Sequence, residues 1–234
     1  SEHFKQVFAA ARRVGYATDD VKLEHIAFGV MLDKSGKPFK TRDGGTVKLK
    51  DLIDESIKRA RDIISRANEY TPKELEKIAY TVGVGSLKYA DLSINRQSNY
   101  IFDWDKMLSL DGNTALYMQY AYARINSILN RAKDVAITLE TPLIEDELER
   151  RLALKILTLD DTLYRAYVDA SPHIITGYLY ELATLFMKFY ELNPILKEGV
   201  KEQTKQSRLL IAKAVANAIK TSLNILGIDV LERI

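Results

Sequence analysis

Lys34-Ser35-Gly36-Lys37-Pro38-Phe39-Lys40-Thr41-Arg42-Asp43-Gly44-Gly45-Thr46 gathers four basic side chains and three glycines into one segment. An apolar run, Ile26 to Leu32, precedes it, and a strongly periodic helical pattern follows. Glycine lets backbone N–H groups come close to an anion, and Lys and Arg neutralise phosphate charge. A basic, glycine-bearing loop between a buried strand and a helix is a candidate polyphosphate clamp. The Walker spacing Gly-x-x-x-x-Gly-Lys-Ser/Thr is absent, and on composition alone a solvated turn is the commoner outcome for such a stretch.

Upstream of the loop, Phe4, Val7, Phe8, Ala11 and Val14 fall at helical spacing, with Gly15 as a stop. Leu23 to Leu32 is rich in strand formers and reads as a buried strand. One strand makes no sheet, so its neighbours are expected before Ser1 or in another chain, and the chain reads as starting in the middle of an α/β fold.

Downstream, Leu49, Leu52, Ile53, Ile57, Ala60, Ile63, Ile64 and Ala67 mark one face of a helix whose other face is charged. Thr71-Pro72-Lys73-Glu74 is a capping box with Pro at the first helical position. Gly83 and Gly85 in the following pattern predict either a break or a close backbone contact. Tyr100 to Trp104 is aromatic and β-like or irregular. From Gly112 on, the pattern predicts helices from Asn113 or Thr114 to about Ala132, from near Asp146, over Thr162–Val168, from Ser171-Pro172, and from about Lys201 to Leu226 with Gly227 as C-cap. This half is expected to be a helix bundle.

Apolar residues make up 47% of 234 residues, enough for a sizeable core. Thirty-four Lys and Arg face 32 Asp and Glu, a net charge of +2, so any nucleic-acid contact has to come from local clustering. The absence of Cys excludes disulfides and thiolate metal sites and fits a reducing cytoplasm. His3, His25 and His173 lack metal-ligand spacing, so no metal site is expected. No apolar run reaches membrane-spanning length, and a soluble monomer is expected.

Tyr117, Tyr120 and Arg124 fall at i, i+3 and i+7, one stripe of a helix. Two aromatic planes and a guanidinium suit unstacked bases. The plain alternative is core aromatics with a surface arginine, and on one helix it is favoured. Lys201, Lys205 and Arg208 share a face suited to phosphate, with Lys197 and Lys213 nearby; solubility explains them equally well.

Phe39-Lys40-Thr41-Arg42-Asp43-Gly44 resembles the mobile signature loop of class I aminoacyl-tRNA synthetases, in the form carried by arginyl-tRNA synthetases. Gly112-Asn113-Thr114-Ala115-Leu116-Tyr117-Met118-Gln119-Tyr120-Ala121-Tyr122-Ala123-Arg124 resembles the helix that opens that family's anticodon-binding domain. Ala166 to His173, Tyr178 to Ala183, and Leu226 to Ile234 are similar to the family's bundle core and closing segment. These matches are collinear and cover the chain's whole length, yet they correspond only to the C-terminal part of such an enzyme. The resemblance implies a mainly α chain: a remnant of an α/β, Rossmann-type nucleotide-binding domain (1–47), a helical connecting region (48–111) and an α-helical anticodon-binding bundle (112–234). It implies ATP as substrate, with Mg2+ in the complete enzyme, and arginine and its tRNA as partners. Lys37, Lys40, Thr41 and Arg42 would face the triphosphate, Thr41 standing nearest the place of the usual second lysine. Phe28, Gly29, Val30, Lys40 and Gly44 would bind ATP. Tyr117, Tyr120 and Arg124 match the family's anticodon contacts, and Ile234 stands where the family commonly ends in Met. A C-terminal fragment, inactive by itself, is the expectation. A stand-alone RNA-binding bundle and a protein-interaction scaffold are the alternatives.

Overall fold

The computed structural model describes residues 2–37, 48–66 and 70–234. Its first helix, α1 (Glu2–Arg13), is amphipathic, yet none of its residues is buried. It ends as the sequence predicts. Gly15 adopts φ +76, and the N–H groups of Gly15 and Tyr16 bond the carbonyls of Arg12 and Ala11, a Schellman closure.

Of the run expected to be a buried strand, only β1 (Met31–Leu32) is a strand, and it is half-buried. Ile26, Phe28 and Val30 stand exposed. Its neighbour lies within the chain, contrary to expectation: β2 (Tyr100–Ile101) pairs with it in parallel, Met31 opposite Tyr100 and Leu32 opposite Ile101. Parallel strands need a long crossover. Here it is supplied by α2 (Leu49–Ile64) and α3 (Pro72–Leu92), which pack together as a helical pair.

The start of α3 is the capping box read from the sequence. The Thr71 hydroxyl accepts from the Glu74 N–H at 3.4 Å, and the Glu74 carboxylate accepts from the Thr71 N–H at 3.0 Å. Donation first from the Thr71 hydroxyl and then from its N–H holds the Glu74 carboxyl below the usual carboxylate range. A depressed folded-state pKa means that this contribution is complete above the unfolded value, about 4.3, and is lost as pH falls through the folded one. Thr71→Ala removes the hydroxyl that caps α3 and is expected to destabilise the fold by the roughly 1 kcal/mol typical of a lost N-cap. Thermal unfolding of both proteins should show that gap narrowing in acid, where the carboxylate half of the box is lost and the bond from the Glu74 N–H to the Thr71 hydroxyl remains.

Gly83 and Gly85 do not break α3, which runs through both. They are sites of close approach. A Cβ on Gly83 would lie 2.7 Å from the Ile57 Cα, and the Ser56 hydroxyl donates to the Gly83 carbonyl at 2.7 Å. The seam of α2 and α3 is thus set by backbone against backbone.

A short helix, α4 (Trp104–Met107), leads to α5 (Ala115–Arg131), which Thr114 caps by accepting from the Tyr117 N–H. The bundle is completed by α6 (Glu147–Leu157), α7 (Leu159–Val168), α8 (His173–Leu192) and α9 (Glu202–Ile225). The core sits where α5, α6, α8 and α9 meet, around Phe186, Phe189, Leu182, Ile125 and Val215. Each fully buried apolar side chain of this size contributes about 1.5–3 kcal/mol. Helix α9 closes with Gly227 at φ +69 and a second Schellman pair, Ile228 N–H to Leu223 and Gly227 N–H to Asn224. Beyond it, Leu231 and Ile234 pack on a smaller cluster formed by α2, α3 and the Phe102–Leu108 segment.

Candidate nucleic-acid interface

The loop residues and the tyrosine–arginine stripe singled out in the sequence lie on two separate surfaces. The first surrounds the basic loop. Asp33 organises its entry: one carboxylate oxygen accepts from the Ser35 N–H (2.8 Å), the Ser35 hydroxyl (2.6 Å) and the Lys37 N–H (3.0 Å), while Gly36 turns at φ +78. The Ser35 hydroxyl, then the Lys37 N–H, hold the Asp33 carboxyl below its ordinary range. Lys34 reaches across to Asp103 at 3.2 Å. Lys37 is exposed at the end of this turn. Lys40, Thr41, Arg42 and Gly44 lie outside the described residues.

Gly29 and Val30 prolong the β1–β2 contact. Their N–H groups donate to the Arg96 carbonyl and the Asn99 side chain, and a Cβ on Gly29 would meet the Ser98 carbonyl at 2.1 Å. Phe28, next in line, is 85% exposed. Arg96 donates to the carbonyls of Ala27 (2.8 Å), Ala170 (2.8 Å) and Asp169 (3.3 Å), fastening this segment to the corner between α7 and α8.

The second surface is the outer face of α5. Ala115, Met118, Ala121, Ile125 and Ile128 point into the core, and Tyr117, Tyr120 and Arg124 run along the flank of the helix, with Tyr117 packed against the core cluster. Tyr117 and Tyr120 are half-buried and Arg124 is exposed. Arg124 forms no ion pair among the described residues. Its guanidinium donates to the Tyr120 hydroxyl at 2.7 Å and lies 5.9 Å from the Tyr120 ring centroid and 5.1 Å from that of Tyr190. Tyr117 meets Tyr180 edge-on at 6.1 Å. Tyr117 and Arg124 thus face α8 across a groove of about 800 Å³, rimmed by Arg124, Arg131, Lys188 and Lys197 with Glu191 as its carboxylate, while Tyr120 is not among its lining residues and reaches it only through Arg124. Aromatic faces below a cationic rim are what single-stranded RNA requires.

Tyr190, Lys188 and Arg131 were missed by sequence reasoning. Tyr190 sits on α8, and only the α5–α8 packing turns it toward Arg124. A larger cleft of about 880 Å³ lies between α3, β2 and the start of α5, but Asp103, Asp105 and Asp111 on its rim repel phosphate.

One residue of the basic set has to be reassigned. Arg208 does not share an outer face with Lys201 and Lys205. Its side chain is 13% exposed, donates to Glu149 (1% exposed) at 2.8 Å, and also bonds the Pro194 carbonyl at 2.9 Å. Glu149 further accepts from the Glu145 N–H at 2.7 Å. Arg208 therefore ties α9 to α6 and to the α8–α9 turn, and it is spoken for internally. Lys201 stands exposed just before α9, and Lys205 pairs with Glu202 at 3.1 Å. Ile234 packs on the α2–α3 side with Leu231, and it is not among the residues lining the groove.

Residues 1–104 match the family model for the catalytic domain of class I tRNA synthetases of the arginine type, and residues 118–234 match the DALR anticodon binding domain. An arginine–tRNA ligase of Cellvibrio japonicus is 46% identical over 235 residues, covering 100% of this chain and 41% of that protein. The chain belongs to the arginyl-tRNA synthetase family. Solved arginyl-tRNA synthetases share its fold. That of Plasmodium falciparum is 28% identical with a TM-score of 0.76, over 99% of this chain and 39% of its own. That of Thermus thermophilus is 27% identical with a TM-score of 0.80, over 90% and 35%. The chain thus spans about two fifths of the length of the arginyl-tRNA synthetases it matches. Its mainly helical architecture, part of a class I catalytic domain followed by the anticodon-binding bundle, agrees with the reading from sequence.

Proposed function

We propose that the chain serves as the C-terminal part of an arginine–tRNA ligase, with its bundle reading the anticodon of the arginine tRNA and its loop gripping ATP. The observation that carries this reading is the groove lined by Tyr117, Arg124 and Tyr190, with Tyr120 bonded to Arg124 beside it, which apart from Tyr117 lies within the segment that matches an anticodon-binding domain. Unstacked bases would lie against the rings, and Arg131, Lys188 and Lys197, together with Lys201 and Lys205 further along, would neutralise phosphates. Ile234 would approach the same RNA from the α2–α3 side. Boundaries near residues 47 and 111 divide the loop-bearing segment, the connecting helices and the bundle.

In the complete enzyme the carboxylate of arginine attacks the α-phosphorus of ATP and pyrophosphate leaves. The role of Lys37, Lys40, Thr41 and Arg42 is to stabilise the negative charge that builds on the phosphates, an electrostatic task with no proton to transfer. Phe28, Gly29 and Val30 would border the adenine, with Gly44 near the phosphates. Mg2+ would arrive with ATP; among the described residues no group of three His, Cys, Asp or Glu is placed to hold a metal ion. The uncovered apolar side chains of α1 and its sequel, among them Phe4, Val7 and Phe28, fit a surface that the rest of a larger catalytic domain would cover. No helix among the described residues is long and apolar enough to cross a membrane, and a cytoplasmic monomer fits the reading.

Equilibrium binding of the chain to arginine tRNA, followed by fluorescence anisotropy at several salt concentrations, tests the proposal. Affinity is expected to fall linearly on a log–log salt plot and to drop when the anticodon is altered. Equal affinity for the altered tRNA would overturn it. ATP–pyrophosphate exchange should be absent from the isolated chain.

A further inference from the structure

The groove between α5 and α8 does not end at α8. A second depression of about 610 Å³ lies on the other side of that helix, against α6, and shares Thr184 and Lys188 with the groove. Its remaining lining includes Arg151, Leu154 and Lys155 from α6 and Tyr180 and Glu181 from α8. Tyr180, Thr184 and Lys188 are four residues apart and form one ridge about 12 Å long at 1.5 Å per residue. Tyr180 lines the second depression and is 37% exposed, and its ring meets edge-on, at 6.1 Å between centroids, that of Tyr117, which lines the groove.

Charge on this ledge is unevenly compensated. Lys155 pairs with Glu181 and lies over the Tyr178 ring at 5.0 Å. Arg151 and Lys188 have no ion-pair partner among the described residues. Beside them Leu154 stands 47% exposed, an apolar surface next to two uncommitted cations.

We propose that this α6–α8 ledge is a second RNA subsite, holding the one or two nucleotides that adjoin the anticodon, with Arg151 on their phosphate and Tyr180 and Leu154 under a base. The inference rests on the groove reading above and extends it. It commits to single-stranded RNA because the ledge is continuous with the groove and because its free charge is positive. The ledge touches backbone and a stacking face, not base edges, so its contribution is blind to anticodon sequence.

A labelled anticodon stem-loop of arginine tRNA, cognate or with an altered anticodon, is the probe, titrated with the wild-type chain and with Arg151→Gln, Arg151→Lys and Arg124→Ala. Arg151→Gln is expected to weaken both RNAs by the same factor, about threefold or more at low salt, and to reduce the salt slope by about 0.7, the value for one phosphate on a single strand. Arg151→Lys should keep the slope, since the charge is retained. Arg151 is exposed, and unchanged thermal unfolding of both variants confirms that binding alone is read. Wild-type affinity and slope for Arg151→Gln, with Arg124→Ala still impaired, would overturn the ledge and leave the groove standing. Wild-type binding by both Arg151→Gln and Arg124→Ala would overturn the groove as well.

Discussion

Replacing Arg208 by Ala is expected to destabilise the folded chain by about 3–5 kcal/mol, a large part of the stability of a domain this size. The cost comes from what is left behind. Glu149 is 1% exposed, and its remaining partner is the Glu145 N–H. Without the guanidinium its charge is buried and uncompensated, and the Pro194 carbonyl also loses its donor. Denaturant unfolding followed by circular dichroism should show the midpoint falling with little change in slope. Arg208→Met combined with Glu149→Leu removes both charges and should recover most of the loss. A single Arg208→Ala within about 0.5 kcal/mol of wild type, the range of ordinary surface changes, would show the pair to be dispensable.

The opposite pattern is expected one helix away. Arg124→Ala should leave unfolding unchanged, because the side chain is exposed and no buried partner depends on it. Binding of arginine tRNA should weaken by about 10–100-fold, the 1–3 kcal/mol range of a base contact of this kind. Discrimination against an altered anticodon should shrink with it. Arg124 is aimed in advance, hydrogen-bonded to the Tyr120 hydroxyl and flanked by the Tyr120 and Tyr190 rings. Tyr120→Phe removes that hydrogen bond and keeps the ring, so its loss should be smaller than that of Arg124→Ala. Anisotropy titrations of the three proteins against both RNAs check this ordering.

These two arginines show what a linear sequence reveals and what it withholds. Both stand on helical patterns with other basic or aromatic residues at suitable spacing, and both were read as facing RNA. Spacing fixes which residues share a stripe, but the partner of that stripe comes from packing. Arg208 meets Glu149 only because α6 lies against α9, fifty-nine residues away in the chain. Tyr190 joins the stripe only because α8 lies against α5. Local chemistry was far more legible. The caps at Thr71, Thr114 and Asp146 and the closing glycines 15 and 227 mark helix ends within a residue or two of where they occur. The strand was overread for a related reason: Leu23 to Leu32 has strand composition, but hydrogen-bonding partners exist for only part of it. Its mate at Tyr100 was hidden because pairing across 69 residues leaves no local trace.

That distant pairing governs the order in which the chain can take shape. Bringing Met31 beside Tyr100 through an unstructured connection would carry the closure entropy of a very long loop. Helices α2 and α3 are neighbours in sequence, and once they zip along the Gly83 seam they return the chain close to its starting point. The segment ahead of the basic loop is therefore expected to dock second, onto a frame already made. A change that loosens the Gly83 seam is felt, at one remove, where that segment meets Tyr100.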